Sequence, residues 1–247
     1  MLLERVDSLL IGRFAGLDDE PVIHGFSTRH RGKSRVDSGA LNLGDVPEES
    51  AAWVNENQTR FLRALEVGPE SLAVPGQVHS GKVACIEEAG FFPETDGLIT
   101  RISGVTLSVK TADCVPLFLW DPEVPAAGLI HAGWRGTVHN IAGRAVRSMA
   151  ESFGCSSSHI QAYIGPSIGP CCFTVGDEVG RRFAPECREG DKVNLWIANA
   201  RQLLEAGISP SHIHIAGLCT ACHPYWFFSH RARQGRTGRM LALFQIV

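Results

Sequence analysis

The sequence predicts an α/β fold, a sheet flanked by helices in a single domain spanning residues 1–247. Three observations predict it. Strand-type segments outnumber helical ones, and the two types are interspersed along the chain. The central strands run apolar without interruption, as strands covered on both faces do. No repeat, low-complexity tract or linker divides the 247 residues, a length one large α/β domain can fill.

The elements follow in order. Residues 22–28 (VIHGFST) read as a strand, and the Gly-, Ser- and Arg-rich stretch 29–50 as a long loop, a kind of segment that often carries function. Over residues 52–65, Trp53, Val54, Phe61, Leu62 and Leu65 share one helical face. Residues 104–110 alternate, with Val105, Leu107 and Val109 on one side, and 115–120 (VPLFLW) and 126–131 (AAGLIH) are two more strands. The glycine-rich turn Gly133–Thr137 comes next, and Thr137 is the expected cap of a helix carrying Ile141, Ala142, Ala145, Met149 and Ala150. The second half predicts strands at 160–164, 212–216 and 240–246 and a helix at 192–206.

Composition narrows the function classes. Hydrophobic residues make up 44% and charged residues 20%, which fits a globular chain and not a disordered one. A formal net charge of −3 lacks the basic surplus of a nucleic-acid binder. Two local basic clusters, Arg29/Arg31/Lys33/Arg35 and Arg231/Arg233/Arg236/Arg239, are either solvated loops or an anion site. The apolar run Leu9–Ile11 is too short for a signal peptide and follows acidic Glu4 and Asp7, and no apolar run is long enough to span a membrane. A cytoplasmic protein without membrane, nucleic-acid or obligate protein partners is expected. Its eight cysteines then read as thiols or ligands.

Three short segments concentrate chemistry: Gln77–Ser80, Thr111–Pro116 and His131–Gly136, each at a predicted strand-to-loop junction. They contribute His79, Cys114 and His131. Two imidazoles and a thiolate suit zinc, which in catalytic sites keeps three protein ligands and leaves a fourth position for chemistry. The spacing itself, 35 and 17 residues, matches no compact zinc motif, and each residue alone reads equally as packing or a satisfied polar group. A second set, Cys219-x-x-Cys222 with Cys171-Cys172, offers four sulfurs, but adjacent cysteines are awkward ligands for one tetrahedral ion.

Together these segments resemble the YfiH-like family, first called multicopper polyphenol oxidase or laccase-like and now associated with purine nucleoside phosphorylase activity. The resemblance runs through Gly25–Arg29, Leu41–Gly44, the three segments above, Ile164–Gly169, Cys219–Thr220 and Phe227–Arg231. It implies an α-β-α sandwich with a mixed sheet, related to cytotoxic-necrotising-toxin catalytic domains. It implies that His79, Cys114 and His131 surround the active centre and bind zinc, with copper possible. It implies phosphorolysis of adenosine, inosine and 5′-methylthioadenosine, plus adenosine deamination. The sequence departs from the family at Ser80, where Gly is usual, and at His230, where Tyr is common.

Phosphorolysis needs a grip on phosphate, for which the forked donors of Arg29 and Arg135, with Arg231 behind them, are candidates; Asn42 joins them as a substrate-binding candidate. Deamination needs an activated water and a carboxylate to move protons. Asp113, beside Cys114, is the nearest, its alternative role being to hydrogen-bond the turn. The H-x-E and P-C-x-x-C signature of cytidine-type deaminases is absent. Three rivals stand beside this reading. A metal-free hydrolase or amidase would use Cys114 as nucleophile with His79 or His131 as base. A copper-dependent polyphenol oxidase would need many His-x-His pairs, and the ten histidines form one, His212–His214. A non-enzymatic metal- or nucleoside-binding protein is the third.

Overall fold

The computed structural model describes residues 1–34, 40–47 and 49–247. Arg35, in the first basic cluster, lies outside them. The chain opens on three antiparallel strands, β1 (Leu2–Val6), β2 (Leu9–Arg13) and β3 (Val22–Ser27), then crosses into helix α1 (Ala51–Ala64). Four short strands follow: β4 (Leu72–Pro75), β5 (Val83–Cys85), β6 (Gly90–Phe92) and β7 (Gly97–Thr100). The central strands are β8 (Thr106–Thr111), β9 (Val115–Asp121) and β10 (Ala126–Ala132), followed by helices α2 (Trp134–Val138) and α3 (Ile141–Phe153) and strand β11 (Gln161–Ile164). A short helix α4 (Asp177–Gly180), a small ribbon of β12 (Arg188–Glu189) and β13 (Lys192–Val193), and helix α5 (Leu195–Glu205) lead to β14 (Ile213–Ile215) and β15 (Met240–Ile246).

These strands form two large mixed sheets. One has the order β1-β2-β3-β15-β8-β4-β6, the other β14-β11-β9-β10-β7-β5. The expected single sheet is therefore a pair, stacked face to face with helices outside. The pleat shows how. Along β15, Leu241 and Leu243 pack with Phe61 and Leu62 of α1, while Met240, Ala242 and Phe244 point into the layer between the sheets. Along β9, Phe118 and Trp120 enter the same layer from the other side, and Leu117 and Leu119 pack towards α3 and α5. Phe118 meets Phe244 edge to face at 5.6 Å. Each such ring, fully buried, contributes roughly 1.5–3 kcal/mol. The continuous apolarity of 115–120 predicts cover on both faces, but not that one cover is a second sheet.

Thr137 does not cap α3. It lies in α2, its hydroxyl bonded to the Gly133 carbonyl, and α3 starts after Asn140, which takes the left-handed conformation at φ 57°. The helix predicted from residue 192 starts at Leu195, where the Asn194 side chain accepts from the Ile197 amide. Among the described residues no helix is long and apolar enough to cross a membrane.

Candidate active site

Strand register assembles the site. In the antiparallel β9–β10 pair, Ala132 faces Val115 and His131 faces Pro116, so the chain on either side brings Cys114 against Gly133. In the β10–β7 pair, Ile130 faces Gly97, which sets His131 beside Asp96. The β8–β15 pairing of Thr111 with Met240 carries Arg239 to the same end. His79 comes from the loop after β4. That loop is held by an amide pair that mimics a strand: Gln77 Nε2 donates to the Lys110 carbonyl at 2.7 Å, and the Lys110 amide donates to Gln77 Oε1 at 2.8 Å.

The three expected donors converge. One ligand atom each from His79, Cys114 and His131 lies within 4.8 Å of the others, and Cys114 Sγ is 4.0 Å from His79 Nε2. Gly133 forms the floor. A Cβ there would sit 3.0 Å from Cys114 Sγ and 3.1 Å from His79 Cδ2, so any larger residue would push these two side chains aside by a few tenths of an ångström. Zinc bonds of about 2.0–2.3 Å require ligand atoms spaced close to this separation. The donor set therefore fits a metal ion.

Behind the donors sits Asp96, fully buried, which the sequence reading did not single out. Its carboxylate accepts from His131 Nδ1 at 2.8 Å, from the His79 amide at 2.9 Å, and from the Ser80 amide and hydroxyl at 2.6 and 2.8 Å. Its carbonyl also accepts from the His131 amide. One carboxylate thus fixes the His131 ring and the backbone of the His79 loop. Burial works against its charge, but the bonds from His131 and Ser80 prevail and hold its pKa below the ordinary value. With Nδ1 donating to Asp96, the His131 Nε2 lone pair is free to act on the cleft side, a common arrangement behind metal-binding histidines. The Ser80 side chain adds a hydroxyl bond to this anchor.

Without a metal the site is an ion pair. Burial disfavours the Cys114 thiolate, yet the neighbouring His131 and His79 bring its pKa down to about 6. Burial likewise disfavours charge on His131, but Cys114 and Asp96 raise it to about 9.

The backbone is strained where the donors are placed. Gln77, His79 and Asp113 take positive φ of 51°, 61° and 88°, a region that non-glycine residues enter at a cost. Asp113 is secured at both oxygens: Oδ1 accepts from the Thr220 hydroxyl at 2.6 Å and Oδ2 from the Arg231 amide at 2.7 Å, and its carbonyl receives the Ile168 amide. It shapes the turn that delivers Cys114.

Above the donors opens a cleft of about 750 Å³, lined on its cationic side by Lys110, Arg135, Arg231 and Arg239. Arg135 stacks over Trp134 at 4.3 Å, and Arg231 lies over Phe173 at 5.3 Å while donating to the Thr174 carbonyl. His230 also lines the wall. Arg29 and Asn42 are placed elsewhere. Arg29 lies over Phe228 and donates to the Pro224 carbonyl. Asn42 is fully buried, its Oδ1 accepting from the amides of Gly44 and Arg239, so it braces the segment that carries Arg239. Lys110 and Arg239 were missed as site residues. For Arg239 the one available signal was its membership of the second basic cluster.

A convergent donor set with a buried carboxylate behind it and a cationic cleft above it has the form of an enzyme active site, and the chain's relatives agree. It belongs to the YfiH-like purine nucleoside phosphorylase family: residues 23–247 match the family model described as multi-copper polyphenol oxidoreductase laccase. It is 36% identical to purine nucleoside phosphorylase YlmD of Geobacillus stearothermophilus, over 89% of this chain and 88% of that one. A second relative, adenosine deaminase RL5 from an unknown prokaryotic organism, is 33% identical over 86% of this chain and 89% of its own. The crystal structure of YlmD from Geobacillus stearothermophilus superposes with a TM-score of 0.91 at 32% identity, covering 99% of this chain and 98% of that one. The chain is an enzyme of this family.

Proposed function

We propose that this enzyme is a zinc-dependent purine nucleoside phosphorylase, a single catalytic domain acting on adenosine, inosine and 5′-methylthioadenosine, with adenosine deamination as a second activity. The observation that carries the reading is the meeting of the His79–Cys114–His131 donor set with four cationic side chains around one cleft. Its volume lies in the range of small-molecule sites and suits a nucleoside with phosphate. The names of the relatives supply the substrate class.

In phosphorolysis a phosphate oxygen bonds to the ribose C1′ as the C1′–N9 bond breaks, and the purine leaves with the bonding electrons and takes up a proton. Arg135 and Arg231, on the wall, are assigned the phosphate, with Arg239 and Lys110 adding positive charge. Arg29 and Asn42 act from behind: Asn42 through the Arg239 backbone, Arg29 through the segment at Pro224. Asp113, with both oxygens engaged, serves as a positioning residue for Cys114. Zinc, with copper as the alternative occupant, would be held by His79, Cys114 and His131 and would supply a Lewis acid. Asp96 keeps His131 in the tautomer that offers Nε2.

A second reading is favoured by one arrangement. Cys114, His131 and Asp96 form the nucleophile, base and orienting carboxylate of a metal-free hydrolase or amidase, the chemistry a relation to cytotoxic-necrotising-toxin domains would bring. Product analysis separates the readings. Incubation with adenosine should give adenine and ribose 1-phosphate only when phosphate is present, and inosine with or without it. Neither product forming from adenosine at stoichiometric enzyme would reject the proposal.

A further inference from the structure

On the far side of the Asp113 turn the chain gathers a second set of donors. The Sγ atoms of Cys171, Cys172, Cys219 and Cys222 all lie within 4.8 Å of one another. We propose that these four cysteines form a closed, four-sulfur zinc site, structural in role and separate from the His79–Cys114–His131 centre.

Adjacent cysteines are awkward ligands on an extended chain, because successive side chains of a strand point apart. Here they sit on a tight turn. The amides of Cys172 and Phe173 both donate to the Gly169 carbonyl, and this folding brings the sulfurs of Cys171 and Cys172 each to 3.4 Å from Cys222. Cys219 and Cys222 share a second turn, closed by the His223 amide on the Cys219 carbonyl. Distances decide between a metal site and a disulfide. A tetrahedral ion with zinc–sulfur bonds of about 2.3 Å holds its sulfurs about 3.8 Å apart, consistent with the 3.4 Å contacts to Cys222 and with all four sulfurs lying within 4.8 Å of one another. A disulfide needs about 2.05 Å between two sulfurs and gives no reason for four to converge, nor for Cys222 to be equidistant from two partners. The Gly169 amide also donates to Cys219 Sγ at 3.2 Å, the outer support that metal-bound thiolates commonly receive.

The site joins two loops that hold the Asp113 turn. The loop bearing Cys171 and Cys172 supplies the Ile168 amide to the Asp113 carbonyl, and the loop bearing Cys219 and Cys222 supplies the Thr220 hydroxyl to its carboxylate. Four protein ligands leave no open position, so the ion staples rather than catalyses.

Metal analysis of the full chain loaded with zinc tests this without reference to turnover. In a His79→Ala/Cys114→Ala variant, about one zinc per chain should remain, and cobalt(II) in its place should show the intense sulfur-to-metal charge-transfer absorption of a four-thiolate complex. Adding Cys222→Ser should abolish both signals, while adding Cys85→Ser, at an exposed cysteine outside both sets, should change neither. Should Cys222→Ser not fold, native wild-type protein still decides: its four thiols should resist a thiol reagent until chelator is added, then react. A zinc-free His79→Ala/Cys114→Ala variant, a cobalt spectrum without thiolate bands, or a disulfide from Cys222 to Cys171 or Cys172 in freshly purified protein would overturn the proposal. Failure of the phosphorylase reading alone would leave these signals intact.

Discussion

His131 is bonded twice to Asp96, ring to carboxylate at 2.8 Å and amide to carbonyl at 2.6 Å, and the same carboxylate carries the His79 loop. One buried side chain therefore couples two of the three donors. Asp96→Asn keeps the shape, removes the charge and offers an amide NH₂ where an acceptor is needed. Zinc affinity of the catalytic set should fall about 10–100-fold, the usual cost of losing such outer support. Competition with a chromogenic chelator measures it. Unchanged affinity would show that Asp96 serves the fold alone.

Gly133→Ala should damage the site more than the fold. Its methyl would press on Cys114 Sγ and His79 Cδ2, side-chain atoms at the cleft floor, and not on backbone. The expected outcome is at least about a tenfold loss of zinc affinity with a thermal midpoint close to wild type, followed by metal analysis and circular dichroism.

The cleft arginines should separate from Arg29. Losing a charged hydrogen bond worth about 1.5–3 kcal/mol should raise the KM for phosphate roughly 10- to 100-fold in Arg135→Ala and in Arg231→Ala. Arg29→Ala removes contacts with Phe228 and Pro224 and should lower stability while leaving the phosphate KM near wild type. Steady-state kinetics at varied phosphate, with thermal melts alongside, distinguish the two patterns.

His24 sets an acid limit on stability. It is buried in β3, with Nε2 accepting from the Phe14 amide. Desolvation, with Arg13 assisting, lowers its pKa from 6.5 to about 4. The unfolded chain therefore takes up the proton first. The stability His24 contributes is full above pH 6.5 and is lost as the pH falls towards 4, by an amount on the order of 3 kcal/mol. Urea midpoints between pH 7 and 4 should show this loss, and His24→Gln should flatten part of it.

Much of this architecture is legible in the sequence because it is local. VPLFLW, AAGLIH and MLALFQI announce β9, β10 and β15; the turn before β9 announces Cys114 and the end of β10 announces His131. What is not legible depends on pairing across distance. Asp96 sits in Glu94-Thr95-Asp96-Gly97, which reads as an ordinary polar turn, and it becomes an anchor only because β7 pairs with β10. The second sheet stays hidden for the same reason: the near-continuous apolar run of β15 marks two covered faces without saying what covers them. Arg29 illustrates the converse. It ends a motif segment, yet its guanidinium turns to Pro224, away from the cleft wall. The convergence of Cys171, Cys172, Cys219 and Cys222 rests on a turn that composition does not reveal.

The most direct test of the catalytic reading is adenosine phosphorolysis by protein stripped of metal at the His79–Cys114–His131 set and then reloaded with zinc. Ribose 1-phosphate formation should vanish on stripping, return on addition of zinc, and stay absent in Cys114→Ala under either condition. Full activity in the stripped protein, or in zinc-treated Cys114→Ala, would contradict the account.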